Sequence, residues 1–381
     1  MRPRTQVLGF RSSIGACMLP RIVPPQRREP HAVNCLDEVT PDPDQLVAAF
    51  ASLLAIKCGK TKSGRPFFDL RLGDTTRTLA AKIWDDSSEA MQIARGLEVG
   101  QALRVLARAD VYQGAVQLNI RRLRRIDPEH PEPGYDPALL YGEGHQYVGD
   151  RLCKSLVVDI ETVPAHASDS LPSGVSKAVD RFASRDGVDE SLIMSISPML
   201  GKIVSLAFGE GEVKDVADQE VTVLVVPPPE HPIDNPPPWL LPMSEADLLS
   251  SFWTLAAAAD VVVTYNGRNF DVPFLVGRSL IHNVNARVDL LGSPYNLRPH
   301  LDLYRVLTGG GRAQGPTGLD VVCWALGVES PKGAMDGSKV ADAYAAGDLQ
   351  AIAEYNRGDI RATTSVFHRI RDQILRYRDN W

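Results

Sequence analysis

Two hydrophobic periodicities divide the chain. Between residues 51 and 123, apolar side chains recur mostly at every second position, as in strands that bury one face. From residue 151 onward, short apolar runs such as 156–158 alternate with longer segments of helical period. This change predicts a small β module followed by a mixed α/β domain.

The β module is predicted to contain five strands and one helix. The strands cover 51–61, 66–72, 77–84, 101–112 and 115–123, and the helix covers 87–96, between the third and fourth strands. This is the element order of the OB-fold, a five-stranded barrel that binds oligonucleotides. The module resembles the nucleic-acid-binding OB domains that are attached to other nucleases.

One face of this predicted barrel combines aromatic and cationic side chains. Strand alternation places Phe67, Arg71, Lys82 and Trp84 opposite the core-facing positions. Single-stranded nucleic acid binds to such surfaces, because bases stack on aromatic rings and phosphates meet the cations. The alternative is that Phe67 and Trp84 pack against the linker or the second domain.

Charge further separates the segments. Residues 41–127 carry a net charge of +4, residues 128–150 carry −5, and residues 151–381 carry −8. The acidic stretch 128–150 contains Pro and Gly and is predicted to be a linker. A nucleic-acid-binding module is thus expected before the acidic linker and the α/β domain.

Residues 1–40 show no sustained helical or strand period. They are predicted to be a disordered tail, or to result from a start codon assigned too far upstream. A transit peptide is the weaker alternative, because prolines at positions 20, 24 and 25 would interrupt an amphipathic helix. No apolar run approaches the ~18 residues of a membrane span, so no membrane association is expected. Five scattered cysteines without a C-x-x-C pair favour a reducing, cytoplasmic location.

Two carboxylates at the end of the strand 155–164 carry the first chemical signal. Asp159 and Glu161 are two residues apart, so a strand directs both to one side, where their charges repel. Asp271 follows another apolar strand, and Tyr355 and Asp359 share one face of the last helix. Oxygen ligands of this kind select Mg²⁺ or Mn²⁺ rather than zinc. Taken singly, each residue also fits a solvated edge, a helix cap or a surface pair.

Three motifs in order raise these residues above such alternatives. "VVDIET", "YNGRNFDVPFL" and "YNRGD" resemble the three exonuclease motifs of the DEDD superfamily of 3′–5′ exonucleases. The accessory stretches "HLDLYRVL" and "GLDVVCWALGV" are similar to the branch related to the proofreading domain of family B DNA polymerases. Glu354 stands where one branch has His, whereas Tyr355 matches the tyrosine branch, termed DEDDy. Gly358 is a departure, since it stands within the helix that carries two site residues.

The resemblance implies a ribonuclease H-like mixed sheet with flanking helices over residues 151–381. It implies that two divalent metal ions, Mg²⁺ or Mn²⁺, are held by four carboxylates and that Tyr355 orients the attacking water. Terminal phosphodiester bonds of single-stranded DNA would be hydrolysed to nucleoside 5′-monophosphates. Asn266 and Phe270 are candidates for nucleic-acid contact, although Phe270 also fits the core, and Asp302 is expected to cap a helix or support the site. The implied catalytic and metal-binding carboxylates are Asp159, Glu161, Asp271 and Asp359.

Two other functions remain open at this stage. The substrate could be RNA, because OB-folds accept either nucleic acid. A non-catalytic nucleic-acid-binding protein with a relic nuclease fold is less favoured, since the carboxylate set is intact. No polymerase segment follows the nuclease motifs within the 381 residues, so proofreading would act in trans, with a replication or repair protein as partner.

Overall fold

The chain is described here by a computed structural model over residues 29–42, 44–127, 130–293, 296–312, 315–330, 335–378 and 381. The expected tail lies outside the described residues up to position 28. Within the described ranges, no helix is long and apolar enough to cross a membrane.

A closed five-stranded barrel forms the N-terminal part. Its strands follow the order β2-β3-β4-β6-β5, and pairing of β2 with β5 closes the sheet. The predicted OB-like order, with a helix between the third and fourth barrel strands, is confirmed. The elements are β1 (His31–Ala32), β2 (Leu46–Lys60), β3 (Pro66–Gly73), β4 (Thr78–Trp84), α1 (Ser88–Ala94), β5 (Ala102–Tyr112) and β6 (Ala115–Arg125).

Strand β2 begins five residues before its predicted start because it serves both sides of the barrel. Its first half pairs with β5 and its second half with β3, with a bulge between Leu53 and Ala55. Val47, Ala49 and Ala51 alternate into the core. Small alanine side chains give a weak apolar signal, and this explains why the sequence pattern missed the first half of the strand.

The described end of the expected tail contributes to the barrel. β1 pairs in parallel with β2, and Leu36, in a short 3₁₀ helix, is fully buried. The backbone N–H of Leu36 donates to a carboxylate oxygen of Asp74 at 2.5 Å. Two- and three-residue elements have no periodicity to detect, so the sequence pattern assigned these residues to the tail.

The expected linker contains two short helices, α2 (Pro137–Tyr141) and α3 (His145–Val148). Tyr141 joins the two domains, because its hydroxyl donates to the carbonyl of Gly100 in the barrel at 2.9 Å. The carbonyl of Tyr141 accepts from the Thr254 hydroxyl of the α/β domain at 2.6 Å. The segment is therefore packed against both domains rather than being an open spacer.

The C-terminal part is a six-stranded mixed sheet of order β10-β9-β8-β7-β11-β12. β7 is antiparallel to β8 and parallel to β11, which is parallel to β12. The strands are β7 (Ser155–Pro164), β8 (Gly201–Glu210), β9 (Val221–Val225), β10 (Leu240–Pro242), β11 (Val261–Thr264) and β12 (His300–Asp302).

Helices cover both faces of the sheet, which accounts for the continuous apolar run in β7. Leu156 and Val158 pack with α6 and α7 on one face, and Val157 packs with α11 on the other. The predicted mixed α/β fold class is confirmed. The helices are α4 (Ser173–Asp186), α5 (Glu190–Ser195), α6 (Glu245–Ala258), α7 (Asp271–His282), α8 (Leu303–Leu307), α9 (Leu319–Leu326), α10 (Val340–Ala345) and α11 (Leu349–Gln373).

Helix ends follow the predicted signals more closely than the edge strands do. The Ser244 hydroxyl caps α6 by accepting the backbone N–H of Asp247 at 3.1 Å. By contrast, β10 lies in the stretch 227–243, whose many prolines are typical of a loop rather than of a strand. Pro242 is tolerated there because β10 is an edge strand.

Candidate active site

Three of the predicted carboxylates converge at the centre of the mixed sheet. Asp159 and Glu161 lie on β7, and Asp359 lies on α11, which packs across the sheet. One carboxylate oxygen from each residue lies within 4.8 Å of the others. Ile160, between the two β7 carboxylates, is buried in the core on the opposite face. The alternation of the strand therefore brings together the D-x-E pair as predicted.

Asp271 supplies the fourth carboxylate from the first residue of α7. Its side chain is almost fully buried, and its Oδ1 atom has no hydrogen-bond partner. Its charge raises the pKa of both Asp159 and Glu161, so Asp271 borders the three-carboxylate group, although it is not one of the three within 4.8 Å. An orphaned buried carboxylate oxygen is costly unless a cation or another donor reaches it.

Burial and mutual repulsion raise the pKa of the clustered carboxylates. The pKa of Asp159 rises well above its usual range because of burial and then the charges of Asp271, Asp359 and Glu161. Burial and the charges of Asp359 and Asp271 act likewise on the pKa of Glu161. The pKa of Asp271 rises to about 7, mainly through burial, while hydrogen bonds to backbone amides partly offset the increase.

This donor set fits a divalent metal centre. Among the described residues, no cationic side chain forms an ion pair with Asp159, Glu161 or Asp271. Carboxylate oxygens without a protein counter-charge suit hard cations such as Mg²⁺ and Mn²⁺. Coordination of a divalent ion would therefore relieve the repulsion among these carboxylates.

Tyr355 lies one helical turn before Asp359 and faces the same cluster. Burial raises the pKa of Tyr355 far above its usual range, with further contributions from the charges of Asp359, Glu161 and Asp159 and from a hydrogen bond to Asp359. The hydroxyl therefore keeps its proton at neutral pH and can act as a hydrogen-bond donor.

A buried asparagine that the sequence pattern did not single out fixes α11 to the sheet. Asn356, fully buried, donates from Nδ2 to the Ser205 hydroxyl at 3.0 Å. Ser205 lies opposite Glu161 in the β7–β8 pairing, next to a bulge. This bond fixes the position of α11 along the sheet, and with it the positions of Tyr355 and Asp359 relative to Glu161. A polar residue on the apolar face of a predicted helix was the available signal.

Asp302 both caps a helix and supports the second motif, so the two roles considered for it coexist. Its carboxylate accepts the backbone N–H of Asn266 at 2.9 Å and of Arg268 at 3.2 Å, and that of Arg305 at the start of α8. Asn266 has a left-handed backbone with φ of 63°. A Cβ atom at Gly267 would collide with Thr264. Hydrogen bonds from its backbone amides to Asp302 and close packing at Gly267 thus fix the conformation of the loop before Asp271.

The two predicted nucleic-acid contacts in this loop differ in their surroundings. The Asn266 side-chain oxygen accepts from Nδ2 of Asn269 at 2.8 Å, at the surface of the loop. The Phe270 ring is partly buried against the core, with its centroid 5.2 Å from that of Phe274. The Phe270 ring therefore has a packing role in the core, and its contact with a base stays a prediction.

The predicted aromatic and cationic face assembles on β3 and β4 of the barrel. Phe67 pairs directly with Trp84 across the strands, with ring centroids 5.6 Å apart. The Lys82 ammonium lies 4.7 Å from the Phe67 centroid and also forms an ion pair with Asp69. Arg71, on the same face, lines the cleft between barrel and mixed sheet. We call the surface formed by Phe67, Arg71, Lys82 and Trp84 the barrel face.

Comparison with known families places the last two motifs in a recognised context. Residues 239–376 match a family described as a predicted 3′–5′ exonuclease related to the exonuclease domain of PolB. This range contains Asp271, Tyr355 and Asp359 but not Asp159 or Glu161. The resemblance inferred from the motifs is confirmed over that range. No curated protein matches the chain.

Solved structures with similar parts have low sequence identity. The family B DNA polymerase of the archaeon Pyrobaculum calidifontis is 15% identical, with a TM-score of 0.38, and the match covers 84% of this chain and 46% of the polymerase. The chain thus spans about half the length of that polymerase. A domain of replication protein A from Methanococcus maripaludis is 14% identical, with a TM-score of 0.21, over 26% of this chain and 97% of the domain.

Replacing Asp271 with Asn should stabilise the metal-free protein at high pH. A carboxyl whose pKa is about 7 when folded and lower when unfolded contributes stability that is lost as the pH rises from ~4 to ~7. In EDTA at pH 8, Asp271→Asn should therefore unfold with a free energy roughly 1–4 kcal/mol higher than wild type. The difference should vanish near pH 4, as urea unfolding at both pH values would show.

The exposed Asp218→Asn variant serves as the matched control and should unfold like wild type at both pH values. Added Mg²⁺ should stabilise wild type more than Asp271→Asn. An Asp271→Asn protein that is less stable than wild type in EDTA at pH 8 would contradict the proposed cost of burying the Asp271 charge.

Proposed function

We propose that this protein is a metal-dependent 3′–5′ exonuclease that acts on single-stranded nucleic acid, with DNA as its main substrate. It would hydrolyse the terminal phosphodiester bond and release a nucleoside 5′-monophosphate. The observation that carries the proposal is the convergence of Asp159, Glu161 and Asp359 beside Asp271, whose Oδ1 atom is buried without a hydrogen-bond partner. The family match over residues 239–376 supports the same reaction.

The four carboxylates would hold two divalent ions, Mg²⁺ or Mn²⁺. Asp159, Asp271 and Asp359 would hold one ion, and Asp159 with Glu161 would hold the other. Such ions supply Lewis acidity, which lowers the pKa of a bound water and stabilises the leaving 3′ oxygen. The contribution of the protein is to keep these four carboxylates close together before any metal arrives.

Tyr355 would position the attacking water. Its hydroxyl remains protonated and donates its one proton to Asp359, so its oxygen would hold the water by accepting a hydrogen bond from it. It does not serve as a general base, because its raised pKa opposes loss of the proton at neutral pH. Orientation of the nucleophile is therefore its expected role.

The preference for DNA is supported by the relation of the matched family to the PolB exonuclease domain. RNA is the competing substrate, and no side chain identified here would recognise a 2′-hydroxyl. The scattered spacing of the five cysteines favours a reducing compartment such as the cytoplasm. There the enzyme would act on free 3′ ends, in trans to replication or repair proteins.

Single strands labelled at either end test the reaction directly. With Mg²⁺ or Mn²⁺, a 5′-labelled DNA strand should shorten stepwise and a 3′-labelled strand should release labelled mononucleotide at once. EDTA should abolish both signals, and so should Asp159→Asn, because it removes a carboxylate central to the cluster. RNA strands in parallel determine the substrate. Activity that survives in EDTA or in Asp159→Asn would contradict the proposal.

Tyr355→Phe should retain metal binding and lose most of the cleavage rate. The substitution deletes one hydroxyl and little volume, so packing on α11 survives while the water loses the hydroxyl that positions it. We expect kcat to fall by about 10²-fold or more, with little change in KM. Single-turnover rates at saturating Mn²⁺ measure this. A rate equal to wild type would mean that Tyr355 only packs.

Trp84→Ala should weaken the binding of long single strands to the barrel face. Each stacked base contributes ~1–3 kcal/mol, so a loss of about fivefold or more in affinity is expected for strands of about 15 nucleotides. Tyr112→Ala, which removes an exposed aromatic ring in β5, is the matched control. Fluorescence anisotropy in EDTA separates binding from cleavage. Equal affinities of the two variants and wild type would remove the barrel face from the mechanism.

A further inference from the structure

A small cavity of about 220 Å³ lies beside the loop of the second motif and is lined by four arginines. It lies among the end of β12, the start of α8, the loop after α8 and the C-terminal residues of the chain. The charged or titratable side chains in its lining are Arg268, Arg305, Arg312, Arg378, His300 and Asp302. We call it the arginine cavity.

The positive charge of the arginine cavity is poorly compensated. Asp302 is the one carboxylate in its described lining, and its oxygens already accept three backbone N–H groups. His300 adds no charge at neutral pH, because burial lowers its pKa to about 4 and its ring nitrogens contact Thr264 and Leu290. Four guanidinium groups and one carboxylate leave a formal charge of +3 around a small volume.

Two of the four guanidinium groups are held in place and two are exposed, an arrangement that suits an anion. Arg268 is anchored because its Nη1 donates to the carbonyls of Leu291 and Gly292. The Nε atom of Arg305 is buried without a hydrogen-bond partner. Arg312 and Arg378 are exposed, and none of the four forms an ion pair with a carboxylate in the described ranges. Their mutual repulsion favours a bound anion.

The position of the cavity connects the two parts of the proposed nuclease. Arg268 is three residues before Asp271, within about 11 Å along the chain. Arg268 also lines the larger cleft between barrel and mixed sheet, in which Arg71 extends from the barrel face. The arginine cavity therefore adjoins the cleft that Arg71 lines, and Arg268 connects it to the loop that leads to Asp271.

The larger cleft is a weaker anion site despite its size. Its charge is nearly balanced, whereas the arginine cavity has a clear excess of cations. The cleft has a volume of about 740 Å³, and its charged lining consists of Arg71, Arg268, Arg287, Arg298, Asp74, Asp260 and Asp289.

We propose that the arginine cavity binds a phosphate group, and that this phosphate is a phosphodiester of the substrate strand upstream of its 3′ terminal nucleotide. The inference rests on the proposed function, because it assigns the cavity to the same substrate. Planar guanidinium groups match the geometry of phosphate oxygens through paired hydrogen bonds. A phosphate held here would keep a long strand in register between the barrel face and the carboxylates.

The test removes two exposed arginines of the cavity without disturbing the carboxylates. Arg312→Gln/Arg378→Gln is compared with Lys214→Gln/Arg369→Gln, which removes the same charge from a different cavity. Anisotropy with a labelled single strand of about 12 nucleotides is measured in EDTA at about 50 and 200 mM salt. Hydrolysis of dinucleotides with Mn²⁺, and its inhibition by nucleoside 5′-monophosphate, are measured in parallel.

The cavity variant should bind the strand roughly tenfold more weakly at the lower salt concentration. The slope of log affinity against log salt should become shallower by about 0.7 for each phosphate that the variant no longer neutralises. The control should show neither change at that size, and dinucleotide hydrolysis should be unaffected because dinucleotides do not reach the cavity. Binding equal to the control would overturn the proposal.

Two further outcomes distinguish a strand phosphate from a mononucleotide phosphate, and failure of the cavity proposal from failure of the proposed function. Weaker inhibition by the mononucleotide with unchanged strand binding would retain a phosphate site but overturn the strand as its source. Failure of the wild-type protein to hydrolyse any strand or dinucleotide would contradict the proposed function. The strand-binding comparison in EDTA would still decide the role of the cavity, because it requires no cleavage.

Discussion

The repulsion among four carboxylates in one partly buried cluster is the constraint on which the rest of the structure depends. Asp159, Glu161, Asp271 and Asp359 come from one strand and two helices, and burial penalises each charge in addition to the repulsion. Such a cluster persists because the surrounding sheet is rigid and apolar on both faces. Under the proposed function, relief of this energetic cost would be the source of affinity for divalent cations.

The polar groups around the cluster act on backbone position rather than on charge. Asn356 ties α11 to Ser205 on β8, and Asp302 holds the amides of Asn266 and Arg268 in the loop before α7. Both groups are buried and use hydrogen bonds across different elements. Their combined effect is that helices from distant parts of the chain present their carboxylates at fixed positions, which metal coordination requires.

Under the proposed function, the barrel and the mixed sheet would contact the same strand from either side of the cleft that they line. The segment expected to be a linker packs against both through Tyr141, so the barrel face is fixed relative to the carboxylates. Stacking on Phe67 and Trp84 would provide affinity without sequence preference, and the arginine cavity would add charge beside the cleft. A long strand can then be held at several points while its end enters the site.

The sequence by itself determined the barrel order, the mixed α/β class and the carboxylates of β7 and α11 that the fold brings together. Alternation and helix caps are local, and the D-x-E pair shares one side of β7 by strand geometry alone. Tertiary structure alone decided that β10 joins the sheet despite its proline, that Asn356 reaches Ser205, and that Arg305 and Arg378 line one cavity. These contacts join residues far apart in sequence, and their energies depend on packing and burial, which no local pattern encodes.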